Sequence, residues 1–244
     1  MTHTPTQNHL IAALPVPDFE RLAPALELVP LPLGEPLFDA ASPAEHVYFP
    51  TTAVVSLLGD TAGGALAEIA VVGNEGIVGI SQLLVGAVAP SRAVVQNAGL
   101  AYRLKARVMQ QEYNSGGPVL RLMLRYAKVL TSQMEHTAAC QRQHSVEQQL
   151  CRMLLLSLDR SPSSSLAITQ ELSATLLGAG REGVMQAAVS LQRAGLISNR
   201  RGHIEVLDRS GLKMAVCGCY SAVKAEVDRL FSDIGNVHAA ALSV

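Results

Sequence analysis

The sequence predicts an α+β protein in three parts: an antiparallel, β-rich first half, one long helix, and a helical remainder that ends in a two-stranded hairpin. Three observations carry this. Short apolar runs separated by turn residues recur through the first hundred positions. A stretch without internal Pro or Gly then bears two apolar stripes. Two compact helical patterns joined by Gly178-Ala179-Gly180 finally lead into a basic hairpin.

In chain order, a short helix is expected around Pro17 to Ala25. Strands are expected at Ala25–Leu31, Val47–Phe49, Ala53–Leu58, Ala65–Val72, Ala93–Gln96 and Ala101–Leu104. Close spacing of short strands points to a sandwich or barrel, jelly-roll-like, and not to βαβ units. The texture changes at Asn114-Ser115-Gly116-Gly117-Pro118. A Pro in the first helical turn is tolerated because its missing N–H has no partner there anyway. Val119–Cys140 then reads as a helix about 33 Å long, longer than one small domain needs. Its first stripe is Leu120, Met123, Ala127, Leu130 and Met134; its second is Val119, Leu122, Tyr126 and Val129. Two stripes need two surfaces: one can be the β module and the other a second copy of the chain, the alternative being a single long helix that lies across one domain. Helical character resumes from Ser145 to Leu158, and a last helix is expected from about Leu212 to Phe231.

Composition bounds the function. The chain has 244 residues, 49% hydrophobic and 16% charged, with four Cys and no Trp. Such a chain has enough apolar surface to fold, has too few Cys for a disulfide-stapled scaffold, and has length for about two domains. No run of about 20 apolar residues and no leader-like N-terminus is seen, so a cytoplasmic protein without a membrane partner is expected. The formal net charge of -1 hides a polarity, because the first hundred residues hold nine acids and two bases while residues 101–160 hold nine bases and four acids.

Thr169 to Val206 is the segment that carries function. Thr169 suits the N-cap of a helix over Gln170–Leu177. A second helix, Arg181–Ala194, turns Val184, Ala188 and Leu191 inward and shows Arg181, Glu182, Met185, Gln186 and Ser190 outward. Two strands around Arg200-Arg201-Gly202-His203 follow. This is the order of a winged helix-turn-helix, and a major groove admits one helix whose N-terminal residues read base edges. Arg181 can pair bidentately with guanine, Glu182 can accept from cytosine, and Gln186 can reach adenine. Thr169, Ser190, Arg200, Arg201 and His203 are the expected phosphate contacts.

Ile168-Thr169-Gln170-Glu171-Leu172, Leu177-Gly178, Arg181-Glu182-Gly183-Val184 and Leu191-Gln192-Arg193-Ala194-Gly195-Leu196-Ile197 resemble the winged helix-turn-helix of Crp/Fnr-type bacterial transcription regulators. The resemblance extends by order of elements over nearly the whole chain. It implies a cyclic-nucleotide-binding-like β-roll sensor over residues 1–114, a dimerisation helix over 115–141 and a DNA-binding domain over 142–244. It implies a homodimer on a palindromic double-stranded DNA site, with RNA polymerase as a further partner, allosteric control through the β-roll and no enzymatic activity. Gln186 stands where cyclic-AMP-responsive members carry a second Arg, and Gly180 removes a side chain before the recognition helix.

The family's nucleotide cassette corresponds to Glu75, Gly76 and Gly79, followed by Ser91 and Arg92, which would make the ligand pocket. Ile77 falls at the position of the ribose-binding Glu, and the Ser and Arg stand in reversed order, so cyclic AMP is not expected and no cofactor is assigned. Cys217-Gly218-Cys219 is expected on the last helix, where residues two apart diverge. Those two, Cys140 and Cys151 are therefore expected as buried small hydrophobes, and His136, His144 and His203 show no ligand spacing, so no metal is expected. A β-roll enzyme would need a His and carboxylate cluster, and only His46 lies between residues 26 and 104. The alternative is a β-roll interaction protein that answers a small ligand without sequence-specific DNA binding.

Overall fold

The computed structural model describes residues 3–40, 42–60, 64, 66–85, 91–161, 163, 165–200 and 202–241. Two short helices, α1 (His9–Ala12) and α2 (Val16–Leu22), lead into β1 (Glu27–Leu31), β2 (Pro36–Phe38), β3 (His46–Pro50), β4 (Val54–Asp60) and β5 (Leu66–Val72). Helix α3 (Ile80–Val85) precedes β6 (Ser91–Asn97) and β7 (Gly99–Lys105). The strands form two antiparallel sheets, β1-β7-β3 and β2-β6-β4-β5. Val47, Phe49 and Leu104 of the first and Val55, Leu57 and Val95 of the second share one core, which makes the β-roll. In this half of the chain α1, α3 and two further elements are additions to the sequence expectation. Strand β2 lies in a stretch rich in turn residues, which mask its pattern. Helix α4 (Ala106–Ser115) buries only Met109 and so shows little apolar signal.

Strand β4 is apolar on both faces for a reason the alternation rule explains. Val55 and Leu57 point into the β-roll, whereas Val54 and Leu58, with Val71 of β5, pack under the second half of the chain. A sheet covered on both sides reads as a continuous apolar run.

Helix α5 (Gly117–Gln143) carries Pro118 in its first turn. Helix α6 (Val146–Asp159) starts at a capping box, in which Ser145 Oγ accepts from Gln148 N–H and Gln148 Oε1 accepts from Ser145 N–H. Leu150, Cys151, Met153, Leu154, Leu155, Leu156 and Leu158 are all buried, as are Gln149, Arg152 and Ser157, so α6 is enclosed on nearly all sides and central to the second core. Strand β8 (Ser165–Leu166), α7 (Gln170–Leu177), α8 (Arg181–Arg193), β9 (Ile197–Arg200) and β10 (His203–Val206) follow, with sheet order β8-β10-β9.

The expected single last helix is in fact two, α9 (Arg209–Ala215) and α10 (Cys219–Ala241), broken at Val216-Cys217-Gly218. Asp208 caps the first by accepting from Gly211 N–H, and Val216 leaves the helical region at φ -72°, ψ 152°. Helix α10 then returns along α5, where Leu230 joins the β-roll core and Phe231 meets His9 edge to face at 5.5 Å. No helix of the described residues is long and apolar enough to cross a membrane.

Candidate nucleic-acid interface

Local chemistry builds the helix pair. Thr169 Oγ1 accepts from Leu172 N–H at 3.0 Å and caps α7. Gly178 ends α7 at φ 60°, a left-handed conformation that costs a side-chain-bearing residue strain. The turn is closed by bonds from Gly178 N–H to Thr175 O and from Ala179 N–H to Ala174 O. Helix α8 then seats Val184, Ala187, Ala188 and Leu191 on α6 and α7. The opposite face leaves Arg181, Glu182, Met185, Gln186, Val189 and Ser190 exposed. At the helix junction Arg181 pairs with Glu171 of α7, and both side chains stay largely in water. Gln186 Nε2 donates to Glu182 Oε1 at 3.3 Å, one turn back along the same face.

The hairpin β9–β10 stands beside α8. Arg200 and His203 are exposed and directly opposite each other in the antiparallel register. Asn199 N–H donates to Gln192 Oε1 at 3.1 Å and ties the hairpin to α8. Thr169 is exposed, although its hydroxyl is engaged as a cap. Arg201 lies outside the described residues. Exposed guanidinium, amide, carboxylate and methyl-bearing groups along one helix face, with basic side chains on an adjoining hairpin, can meet base edges and phosphates together.

The positions expected to form a ligand pocket are not brought together. Glu75 is buried: its Oε1 accepts from Arg160 Nε at 2.7 Å and its Oε2 from Gly73 N–H at 3.1 Å. Arg160 Nη2 also donates to Gln133 Oε1, at 3.1 Å, which joins the turn after β5 to α5 and α6. A Cβ at Gly76 would fall 2.1 Å from the Tyr126 hydroxyl, and one at Gly73 would fall 2.4 Å from Arg160 Cβ. The cassette turn is therefore packed against the chain's own helices, and burial pushes the Tyr126 hydroxyl up. Ser91 and Arg92 pair with Gly59 and Leu58 of β4, whereas Val72, at the start of the turn, pairs with Val55. Three to four residues of strand, on the order of 10 Å, separate the two groups along the sheet. Gly79 lies against Val47, and Arg92 approaches Asp39 at 3.7 Å.

On α5, Met123 (1% exposed) and Leu130 (8%) are buried within the single chain. Leu120, Ala127 and Met134 are half-buried, and Leu124 is 48% exposed. Both apolar stripes are used internally to a greater degree than expected, because α10 covers one flank of α5 through Lys128–Glu226 and Leu230.

The expectation that Cys217 and Cys219 diverge is corrected. Cys217 precedes α10, so the helical 100° step does not separate the two. Cys140, His144, Cys217 and Cys219 place one ligand atom each within 4.8 Å of all the others. The sequence carries a signal for this in Cys140 and His144 at i, i+4 and in Gly218, which marks a helix break. Cys151 stands apart from that group, and burial pushes its thiol up to about 12.

The fold and the exposed α8 define the class: a protein with a winged helix-turn-helix. Residues 148–215 match the family model described as a Crp-like helix-turn-helix domain. Among solved structures, FixK2 from Bradyrhizobium japonicum is 17% identical, covers 79% of this chain and 98% of its own, and superposes with a TM-score of 0.64. TTHB099, a transcriptional regulator of the CRP family from Thermus thermophilus, is 19% identical, with 77% and 95% covered and a TM-score of 0.63. The global regulator CLP from Xanthomonas campestris is 17% identical, with 80% and 100% covered and a TM-score of 0.61. No curated protein matches this sequence. Residues 148–215 are thus a Crp-like helix-turn-helix domain, and the chain around them has the fold of the Crp/Fnr family of transcription regulators.

Proposed function

We propose that this protein is a homodimeric transcription regulator that binds a palindromic DNA site, with one α8 in each of two neighbouring major grooves. The observation that carries this reading is α8, which buries one face and leaves Arg181, Glu182, Met185, Gln186 and Val189 in solvent beside a basic hairpin. Arg181 would read a guanine, Glu182 a cytosine amine and Gln186 an adenine, while Met185 and Val189 suit a thymine methyl. Ser190, Arg200, Arg201 and His203, with the α7 N-terminus at Thr169, would hold phosphates and set the register.

Self-pairing along α5 follows from what that helix leaves open. Leu120, Leu124, Ala127, Thr131 and Met134 recur at alternating spacings of four and three, the heptad seam of a two-stranded coil. Pairing there would set the two α8 helices about one DNA turn, ~34 Å, apart. The β-roll, residues 1–114, is the receiver of a signal. Occupation of the cassette turn by Arg160 and Tyr126 supports control by something other than cyclic AMP. RNA polymerase is the partner this role implies.

Selection of bound sequences from a random duplex pool tests the reading. The expected outcome is enrichment of a two-fold symmetric site with half-sites one turn apart, bound by a species that sediments as a dimer. Affinity should fall steeply with the logarithm of salt concentration as counterions are released. A monomer at all concentrations, or a pool without enrichment, overturns it and leaves a β-roll protein that acts without DNA.

A further inference from the structure

Four side chains from two distant segments meet where α5 ends and α10 begins. Cys140 and His144 come from the last turn and the C-cap of α5; Cys217 and Cys219 come from the break before α10 and its first residue. The three cysteines are buried and free, and His144 is half-buried. Cys140 Sγ lies 3.5 Å from Cys217 Sγ, and Cys219 Sγ lies 3.7 Å from His144 Nδ1. These separations are too long for a disulfide, whose sulfurs bond at about 2.05 Å. All four ligand atoms lie within 4.8 Å of one another, and these two separations match the edge lengths of a tetrahedral site. With Zn–S of about 2.3 Å and Zn–N of about 2.0–2.1 Å, tetrahedral geometry requires S···S near 3.8 Å and S···N near 3.5 Å.

We propose that Cys140, His144, Cys217 and Cys219 form a mononuclear Cys3His metal site that takes Zn2+. Three thiolates, one neutral imidazole and one dication leave the site with a net charge of about -1. Arg152, 4% exposed, supplies the offset: its charge acts on Cys140 and Cys219. Its Nη1 donates to Thr137 Oγ1 at 3.1 Å, while its Nε has no hydrogen-bond partner among the described residues. All four positions are filled by protein, which is the closed coordination of a structural site and leaves no place for substrate. An ion there would staple the returning helix α10 to the hinge at His144, through which α5 passes into α6. The domain matched as Crp-like spans residues 148–215, so two of the ligands lie before it and two beyond it.

The test uses the full chain, reduced and stripped of metal, titrated with Co2+ and then Zn2+. About one Co2+ per chain is expected, with the strong thiolate charge-transfer and tetrahedral d–d bands, and its displacement by Zn2+. Zn2+ should raise the melting temperature of the wild type, since a preformed four-ligand site binds it more tightly than the unfolded chain does. Cys217→Ser and the half-buried His144→Gln should each weaken Co2+ binding by at least about 10-fold and lose the melting shift. Cys151→Ser, a buried thiol outside the cluster, should keep both, which separates loss of ligand from loss of packing. Absence of the thiolate bands in the folded wild type overturns the proposal, as does binding that survives in both ligand variants, or exclusive formation of a Cys140–Cys217 disulfide in metal-loaded buffer. The readouts do not involve DNA, so they stand or fall separately from the DNA-binding reading.

Discussion

Two arginine–glutamate pairs of the same chemistry do opposite work in this molecule. Arg160 and Glu75 are 5% and 7% exposed and tie α6 to the turn after β5. Arg181 and Glu171 are 73% and 68% exposed and lie across the helix pair that faces solvent. Desolvation makes the difference. Removing one member of the first pair strands a charge where water cannot reach it, whereas the second exchanges its partner for water or phosphate at little cost. The worth of an ion pair is thus set by where the fold places it: the buried pair fixes the turn after β5 against the end of α6, and the exposed pair leaves the outer face of α8 in water.

Substitution at the buried pair gives the largest expected effect. Arg160→Met leaves Glu75 uncompensated and should cost about 3–5 kcal/mol, read as a lowered midpoint in denaturant unfolding. The double variant Arg160→Met with Glu75→Leu should recover much of that loss, and a fully additive result would break the comparison. Next comes Arg181→Ala, which should lose about 1–3 kcal/mol of affinity at one base pair and relax preference there, measured by competition among operator variants. Arg200→Ala should instead weaken all sequences alike and reduce the salt slope by about one. If both variants change affinity without changing base preference, the readout assignment to α8 fails.

Smaller effects sharpen the same contrast. Thr169→Ala removes the N-cap of α7 and should cost about 1 kcal/mol of stability without altering base preference. Glu171→Gln, at the exposed pair, should change stability by about 0–1 kcal/mol in thermal unfolding and leave DNA affinity unchanged or slightly higher, since Arg181 loses a competing acceptor. A loss as large as that of Arg160→Met would mean that exposure does not separate the two pairs.

The helix-turn-helix was legible in the sequence because its signals are local. The Thr169 cap, the left-handed turn at Gly178 and the inward Val184, Ala188 and Leu191 each act across three or four residues, and the structure begins α8 at Arg181. The β-roll was legible by spacing of turns, with β2 and α4 lost because neither carries enough apolar pattern. What only the tertiary structure decided is which distant residues meet. Glu75 and Arg160 are 85 positions apart, and Cys140 and Cys217 are 77 apart. Their pairing depends on how α6 and α10 return across α5 and on a break before Cys219 that periodicity reads straight through. Short-range backbone preferences write the elements; the burial of their faces against one another, a sum over the whole chain, settles which side of α5 is open and which four ligands converge.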